Sequence, residues 1–315
     1  LVLIQYRALF GERSRFIDSS EKRITRESVT GYVTPPTMVA ALAIALGSGA
    51  LGSMLGLGGG VVMVPLLVFL LGVPIHIAAG ASIVAVVATS SASASVYVRD
   101  EVTNMRLGMF LELATTVGAV TGAGLMAGAS EATLKTVFGV TLLYASAVMW
   151  HQMRSSGRSW TPADNDWVAE RLRLGASYYD AARSETISYG VAQSLPTFVI
   201  SYVAGVVSGL LGIGGGGIKV PAMNVVSGVP MKAAVATSNF MIGVTAAASA
   251  LIYIRNGFCD SFITAPVVLG TLVGSFLGAK LALRVRGVVL KKVFVVVLLV
   301  LGLSMVASGV GLIWA

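Results

Sequence analysis

"GLLGIGGGGIKVPAMN", Gly209–Asn224, lies between two apolar segments long enough to be buried in lipid. Glycine is the poorest helix former after proline, so four in a row end one helix and begin another. Lys219 follows two residues after the last glycine and Pro221 two residues after that. The reading of this stretch decides the fold, because an interrupted helix at membrane depth survives only where protein buries it or a wet cavity hydrates it.

The rest of the chain supports a membrane setting. Of its 315 residues 56% are hydrophobic and only 11% charged, with a mean hydropathy of +0.85. A soluble domain carries about a quarter charged residues. Apolar runs recur at 37–55, 61–73, 78–98, 107–128, 133–150, 194–211, 218–229, 233–254, 262–283 and 289–312. They are rich in Ala, Val, Leu, Gly and Ser, the mix that lets membrane helices approach closely, and they lack the short alternating strands of a barrel. The expected partner is therefore a lipid bilayer. The cations behind the net charge of +8 cluster in loops, the positive-inside pattern. They form no aromatic-interleaved basic patch, so nucleic acid is not an expected partner. One cysteine, Cys259, and two distant histidines, His76 and His151, make neither a disulfide nor a metal site, and no cofactor is expected. Residues 1–36 are polar and mixed, without the pattern of a signal peptide.

Sliding the sequence against itself by 156 positions reveals a duplication. "GLGGGVVMVPLLVFLLGVP" (56–74) falls on "GIGGGGIKVPAMNVVSGVP" (212–230). The register continues without a gap: Ser82 meets Ser238, Tyr97 meets Tyr253, Arg99 meets Arg255, Gly118 and Gly122 meet Gly274 and Gly278, and Phe138 meets Phe294. The organisation is thus an N-terminal polar segment (1–36), a first unit (37–150), a basic linker (151–190) and a second unit (191–315). Within the linker, "DWVAERLRLGASYYDAARSE" reads as helical. Each unit has a first helix, a glycine break, a short segment ending at Gly-Val-Pro, and three full-length helices. The short segments 61–73 and 218–229 span only about 20 Å at 1.5 Å per residue, against a hydrocarbon core of about 30 Å, so each unit opens with a hairpin that turns in or near the membrane.

The linker cations (Arg154, Arg158, Arg171, Arg173, Arg183) and those of the last loop (Arg284, Arg286, Lys291, Lys292) belong on the cytoplasmic side. Counting back places loop 129–135 outside and loop 99–106 inside, which gives the two units opposite orientations. The expected fold is an all-α polytopic membrane protein of two inverted-topology repeats, each a glycine-broken hairpin plus three transmembrane helices, the architecture of many secondary transporters.

A helix that starts after glycines presents free amides and a positive dipole end to the break, and successive glycine amides form an anion-binding concavity. Pro65 and Pro221 suit the first turn, where a missing N–H had no partner. The candidate substrate-binding set is Gly58, Gly59 and Gly60 with Gly214, Gly215, Gly216 and Gly217. A tight helix crossing needing glycine for clearance is the plainer reading. The match of Gly212–Gly217 to a dinucleotide fingerprint is rejected, because no strand precedes it and no acid follows at the ribose position.

With both breaks placed, the chain resembles the TauE/SafE sulfite exporter family, also called the toluene sulfonate uptake permease family. The resemblance rests on "GALGSMLGLGGGVVMVP" (49–65), "GVVSGLLGIGGGGIKVP" (205–221), "GASIVAVVATSS" (80–91) and "ATSNFMIGVTA" (236–246), and it covers 37–312. It implies a multi-pass carrier in a prokaryotic cytoplasmic membrane that moves a sulfur-containing anion such as sulfite, thiosulfate or a small sulfonate like sulfoacetate, often outward. A passive anion channel and an uptake permease for an organic sulfonate are the alternatives. No nucleophile–base pair points to an enzyme.

Lys219 has Met63 as its repeat partner, so the architecture does not demand a charge there. A lysine in a membrane segment is a functional candidate by default, with snorkelling to an interface as the structural alternative. No acid occurs anywhere in 191–259, and Glu112, the nearest candidate from the other unit, is not expected to reach, which makes a bound anion the expected partner. Ser82, Ser238 and Asn239 are expected to hydrogen-bond an oxyanion or to pack between helices. Glu112 is expected either to carry a coupling proton or to pair with Arg106 at the interface.

Overall fold

The computed structural model describes residues 35–155, 164–180, 184–284 and 288–311. Most of the N-terminal segment, and Arg158, Arg183 and Arg286 among the counted cations, lie outside the described residues. The first unit comprises α1 (Pro35–Leu55), α2 (Gly60–Leu71), α3 (Ile75–Arg99), α4 (Met105–Met126) and α5 (Glu131–Ser155). The linker contributes α6 (Trp167–Leu172), β1 (Ala176–Asp180) and β2 (Glu185–Tyr189). The second unit has α7 (Ser194–Leu211), α8 (Gly216–Pro221) running into a π-helical turn (Ala222–Val226), α9 (Met231–Arg255), α10 (Ser261–Arg284) and α11 (Val288–Gly309). Among the described residues seven helices are long and apolar enough to cross a membrane: α1, α3, α4, α5, α7, α9 and α10. The protein is an all-α polytopic membrane protein.

The repeat is visible in element boundaries. α3 and α9 each run for 25 residues, and each begins directly after the proline of Gly-Val-Pro. Gly72 and Gly228 both take positive φ, and each lets a tight turn end the short segment. The units differ in their short segments. The first unit's short segment is a continuous helix, whereas the second's widens after Pro221 into a π turn closed by Ser227 N donating to Ala222 O (3.2 Å). Such π turns often mark functional positions.

Packing between the units is reciprocal. α1 lies against α10 as α7 lies against α4, while α3 pairs with α9 and α5 with α11. Lipid is as apolar as leucine, so helix association depends on close approach rather than on a hydrophobic drive. Glycines supply that approach at matching positions. A Cβ on Gly118 or Gly122 would collide with the carbonyl oxygens of Tyr202 or Val206, and one on Gly274 or Gly278 with those of Leu46 or Ala50.

The loops gather in two groups. His76 Nε2 meets Ala129 O at 3.3 Å and its ring tilts on Phe258, whose neighbour Cys259 reaches Gly80 O. In the second group the linker meets loop 100–105 and the second hairpin. Asn104 Nδ2 donates to Leu174 O (2.7 Å), Arg106 to Arg173 O (3.3 Å), Ala192 N to Ser227 O (3.1 Å), and Lys232 Nζ pairs with Asp180 at 2.6 Å. Thus α3 begins at the first group and ends at the second, and α9 does the reverse.

The linker corrects the helical reading. Its helix stops at Leu172 because Arg173 turns left-handed (φ 52°), and an antiparallel hairpin pairs Ala176 with Tyr189 through Asp180 with Glu185. Aromatic and β-branched residues favour this ribbon. Tyr178 and Tyr189 bury against Val96, Tyr97, Val102 and Val229, so packing on the bundle decides the conformation. Asp166 caps α6 by accepting from Ala169 N (2.8 Å) and ties it to α7 by accepting from Ser194 N (2.5 Å). Burial acts to raise its pKa, but these hydrogen bonds outweigh it and hold the carboxyl below its ordinary range. Burial pushes the Tyr189 phenol up to about 12.

Candidate functional site

The two glycine breaks meet in the middle of the bundle. Gly58 and Gly214, equivalent in the repeat, both turn at positive φ (82° and 80°), and both face Val86 and Ile242, themselves equivalent residues of α3 and α9. Gly59 and Gly215 also take positive φ (75° and 72°), a conformation that costs glycine nothing and side-chain-bearing residues a good deal. No backbone partner among the described residues takes the amides of Gly58, Gly59, Gly214 or Gly215. The amides of Gly60, Gly216 and Gly217 fall in first helical turns, where no intrahelical partner exists.

Each break is held by the opposite unit. Ser82 on α3 donates to Gly212 O at 2.7 Å, and Ser238 on α9 donates to Gly56 O at 2.9 Å. Both hydroxyls are fully buried, and each has one proton to give. The oxyanion role expected of them therefore has a competitor, the glycine-break carbonyl. Asn239 is likewise engaged. Its Nδ2 donates to Ser53 O (3.0 Å) and Val235 O (3.1 Å), its Oδ1 accepts from Ser93 (3.3 Å), and its carbonyl accepts from Ser90. Tyr97 and Tyr253 brace the helices entering the breaks, donating to Ser53 O (3.1 Å) and Gly209 O (2.9 Å).

Lys219 does not snorkel. Its relative exposure is 0%, and its Nζ donates one hydrogen bond, at 3.3 Å, to Thr245 Oγ1. Thr245 in turn donates to Glu112 Oε1 at 2.7 Å. Glu112 is 8% exposed and also accepts from Thr115 (2.8 Å, Oε2) and Thr116 (2.9 Å, Oε1). The expected pairing of Glu112 with Arg106 is not formed, since the Arg106 guanidinium reaches the Arg173 carbonyl instead. Glu112 is thus linked to Lys219 through Thr245 rather than by a direct ion pair. Sequence reasoning overlooked Thr245, because it is one hydroxyl among many on α9. It also overlooked Ser208, whose fully buried Oγ has no partner among the described residues. A Cβ placed on Gly215 would touch both Ser208 Cβ (3.1 Å) and Lys219 Cε (3.4 Å), so the hydroxyl and the lysine chain border the same point. Thr245 and Thr115 recur in the repeat as Thr89 and Thr271, whereas Lys219, Glu112 and Ser208 correspond to Met63, Val268 and Gly52.

Paired glycine breaks inside a duplicated helical bundle, with a buried lysine at one of them, define a multi-pass membrane protein with a polar centre. The family model described as "Sulfite exporter TauE/SafE" matches residues 41–305, and the chain belongs to that family. The chain is 26% identical over 281 residues to "Probable membrane transporter protein YunE" of Bacillus subtilis (strain 168), covering 87% of this chain and 99% of the relative. It is 27% identical over 283 residues to a "Probable membrane transporter protein" of Xylella fastidiosa (strain 9a5c), covering 88% and 96%. No solved structure matches the chain. It is a membrane transporter of the cell membrane.

Proposed function

We propose that the protein is a secondary transporter that moves a sulfur-containing anion (sulfite, thiosulfate or a small sulfonate such as sulfoacetate) outward across the cytoplasmic membrane. The anion binds between the two glycine breaks, on the amides of Gly58–Gly60 and Gly214–Gly217, with Lys219 supplying positive charge. Ser82, Ser238 and Asn239 serve this site by fixing the breaks. The observation that carries the reading is Lys219, fully buried beside a glycine break with a single hydrogen bond, at 3.3 Å, among the described residues. An ammonium has three protons to donate, and burying it costs several kcal/mol unless its partners compensate.

The inverted arrangement is part of the proposal. It is supported by the loop grouping, in which α3 and α9 run in opposite senses between the same two clusters. In that arrangement the linker is cytoplasmic and covers the mouth of the second hairpin, and the two units exchange access to the central site.

Purified protein in liposomes tests the function. Counterflow of labelled thiosulfate or sulfite that saturates with concentration is the expected result. Flux that rises linearly without counterflow indicates a passive channel through the same site, and absence of flux for sulfite, thiosulfate, sulfoacetate and taurine contradicts the substrate class.

A further inference from the structure

We propose that Glu112 is the internal counter-charge of Lys219 in the empty site, and that an entering anion displaces it, so that each anion bound brings one proton onto the Glu112 carboxylate. The inference rests on the anion-binding reading of Lys219 and deepens it by naming the coupling ion. Three observations carry it. The lysine and the carboxylate are both buried, and a single hydroxyl relays one to the other, Lys219 Nζ to Thr245 Oγ1 to Glu112 Oε1. The contact with the lysine is long, at 3.3 Å, whereas the three hydroxyl contacts to the carboxylate are 2.7–2.9 Å, so the lysine end is the one poised to exchange partners. Beside the lysine stands a donor with no acceptor among the described residues, the buried Ser208 hydroxyl, placed to take an oxyanion together with Lys219.

Among the described residues the surroundings leave Glu112 no other cation. Against α4 pack α7 and α9. α7 contains no Asp, Glu, Lys, Arg or His, and its one phenol is Tyr202. The charged residues of α9 are Lys232 and Arg255 at its two ends, and its phenol, Tyr253, is bound to Gly209 O. On α4 itself Arg106 is turned to Arg173 O. When an anion takes the lysine, a buried carboxylate held only by three hydroxyls is left beside added negative charge, with no cation facing it among the described residues. One proton arriving with the anion cancels that added charge. The proton comes from water on the open side and travels with the anion, making the cycle an anion–proton symport.

Calorimetric titration of the purified full chain with thiosulfate, which has no titrating proton near neutral pH, in buffers of different ionisation enthalpy counts the protons exchanged. The expected count is about one proton taken up per anion, with affinity falling toward tenfold per unit rise in pH. In Glu112→Gln the count falls to zero and the affinity no longer depends on pH, while thiosulfate still binds. The wild-type count stands even if that variant does not fold. Binding to wild type with no proton uptake, or undiminished uptake in Glu112→Gln, overturns the coupling and leaves the anion site intact. If neither thiosulfate nor sulfoacetate binds wild type, the proposed function falls and the coupling with it.

Discussion

Ser82 of the first unit donates its hydroxyl proton to the carbonyl of Gly212 in the second, at 2.7 Å in the buried centre of the bundle. The repeat returns the bond, Ser238 to Gly56 at 2.9 Å. Removing either hydroxyl leaves a buried carbonyl unpaired, a loss of about 1–3 kcal/mol. Ser82→Ala and Ser238→Ala are expected to lower the melting temperature in detergent by similar amounts. The comparison reports on the symmetry of the two breaks, and one silent variant would mean that its break is held by other contacts.

The orientation of the units is read by chemical labelling. Asp100 and Asn256 are exposed, follow α3 and α9, and occupy equivalent positions in the repeat. In a Cys259→Ser background, Asp100→Cys is expected to label from the cytoplasmic side and Asn256→Cys from the outside with a membrane-impermeant maleimide. Labelling from one side would describe a parallel repeat.

Close helix approach predicts a contrast among glycines. Gly122→Ala and Gly278→Ala push a methyl group into the backbone of the facing helix, whereas Gly47→Ala and Gly124→Ala meet nothing within 4 Å. The first pair is expected to lower the yield of folded protein sharply on size-exclusion chromatography. The second pair is expected to be neutral or slightly stabilising, since alanine suits a helix better than glycine by about 1 kcal/mol.

These contacts also indicate what the sequence could disclose. The glycine breaks, the duplication and the short second segments are local patterns, so they were readable. Lys219 stood out because Met63 occupies its repeat position. Glu112 could be named as the candidate acid for Lys219 but was not expected to reach it, because the link depends on Thr245 of α9 falling between α8 and α4, a juxtaposition created by packing alone. Not readable either was the engagement of Ser82 and Ser238 with the opposite break, which makes them supports of the glycine amides. The linker was misread for the same reason: Tyr178 and Tyr189 gain their burial against the bundle, and the charged stretch taken alone has the composition of a helix.

The linker carries an acid-sensitive tie. The carboxyl of Asp166 is held below its ordinary range by hydrogen bonds that outweigh burial. A group whose folded value is depressed contributes stability above its unfolded value and loses it as pH falls through the folded one. Amide protection of 167–174 and Ser194 is expected to be full at neutral pH and to decline as pH drops below the ordinary aspartate range of about 4. Asp166→Asn is expected to weaken protection at neutral pH by about 0.5–2 kcal/mol, the worth of a helix cap, and to remove the acid dependence. Hydrogen exchange followed by mass spectrometry reads both.

The central claim is that the buried lysine at the second glycine break binds the transported anion. It is tested most directly by calorimetric titration of thiosulfate and sulfoacetate into wild type and Lys219→Met at one pH, the substitution copying Met63 of the first unit. The account predicts folded protein with affinity at least about tenfold weaker, a loss of about 1.4 kcal/mol, and a smaller loss in Lys219→Arg. Equal affinity in wild type and Lys219→Met would contradict it.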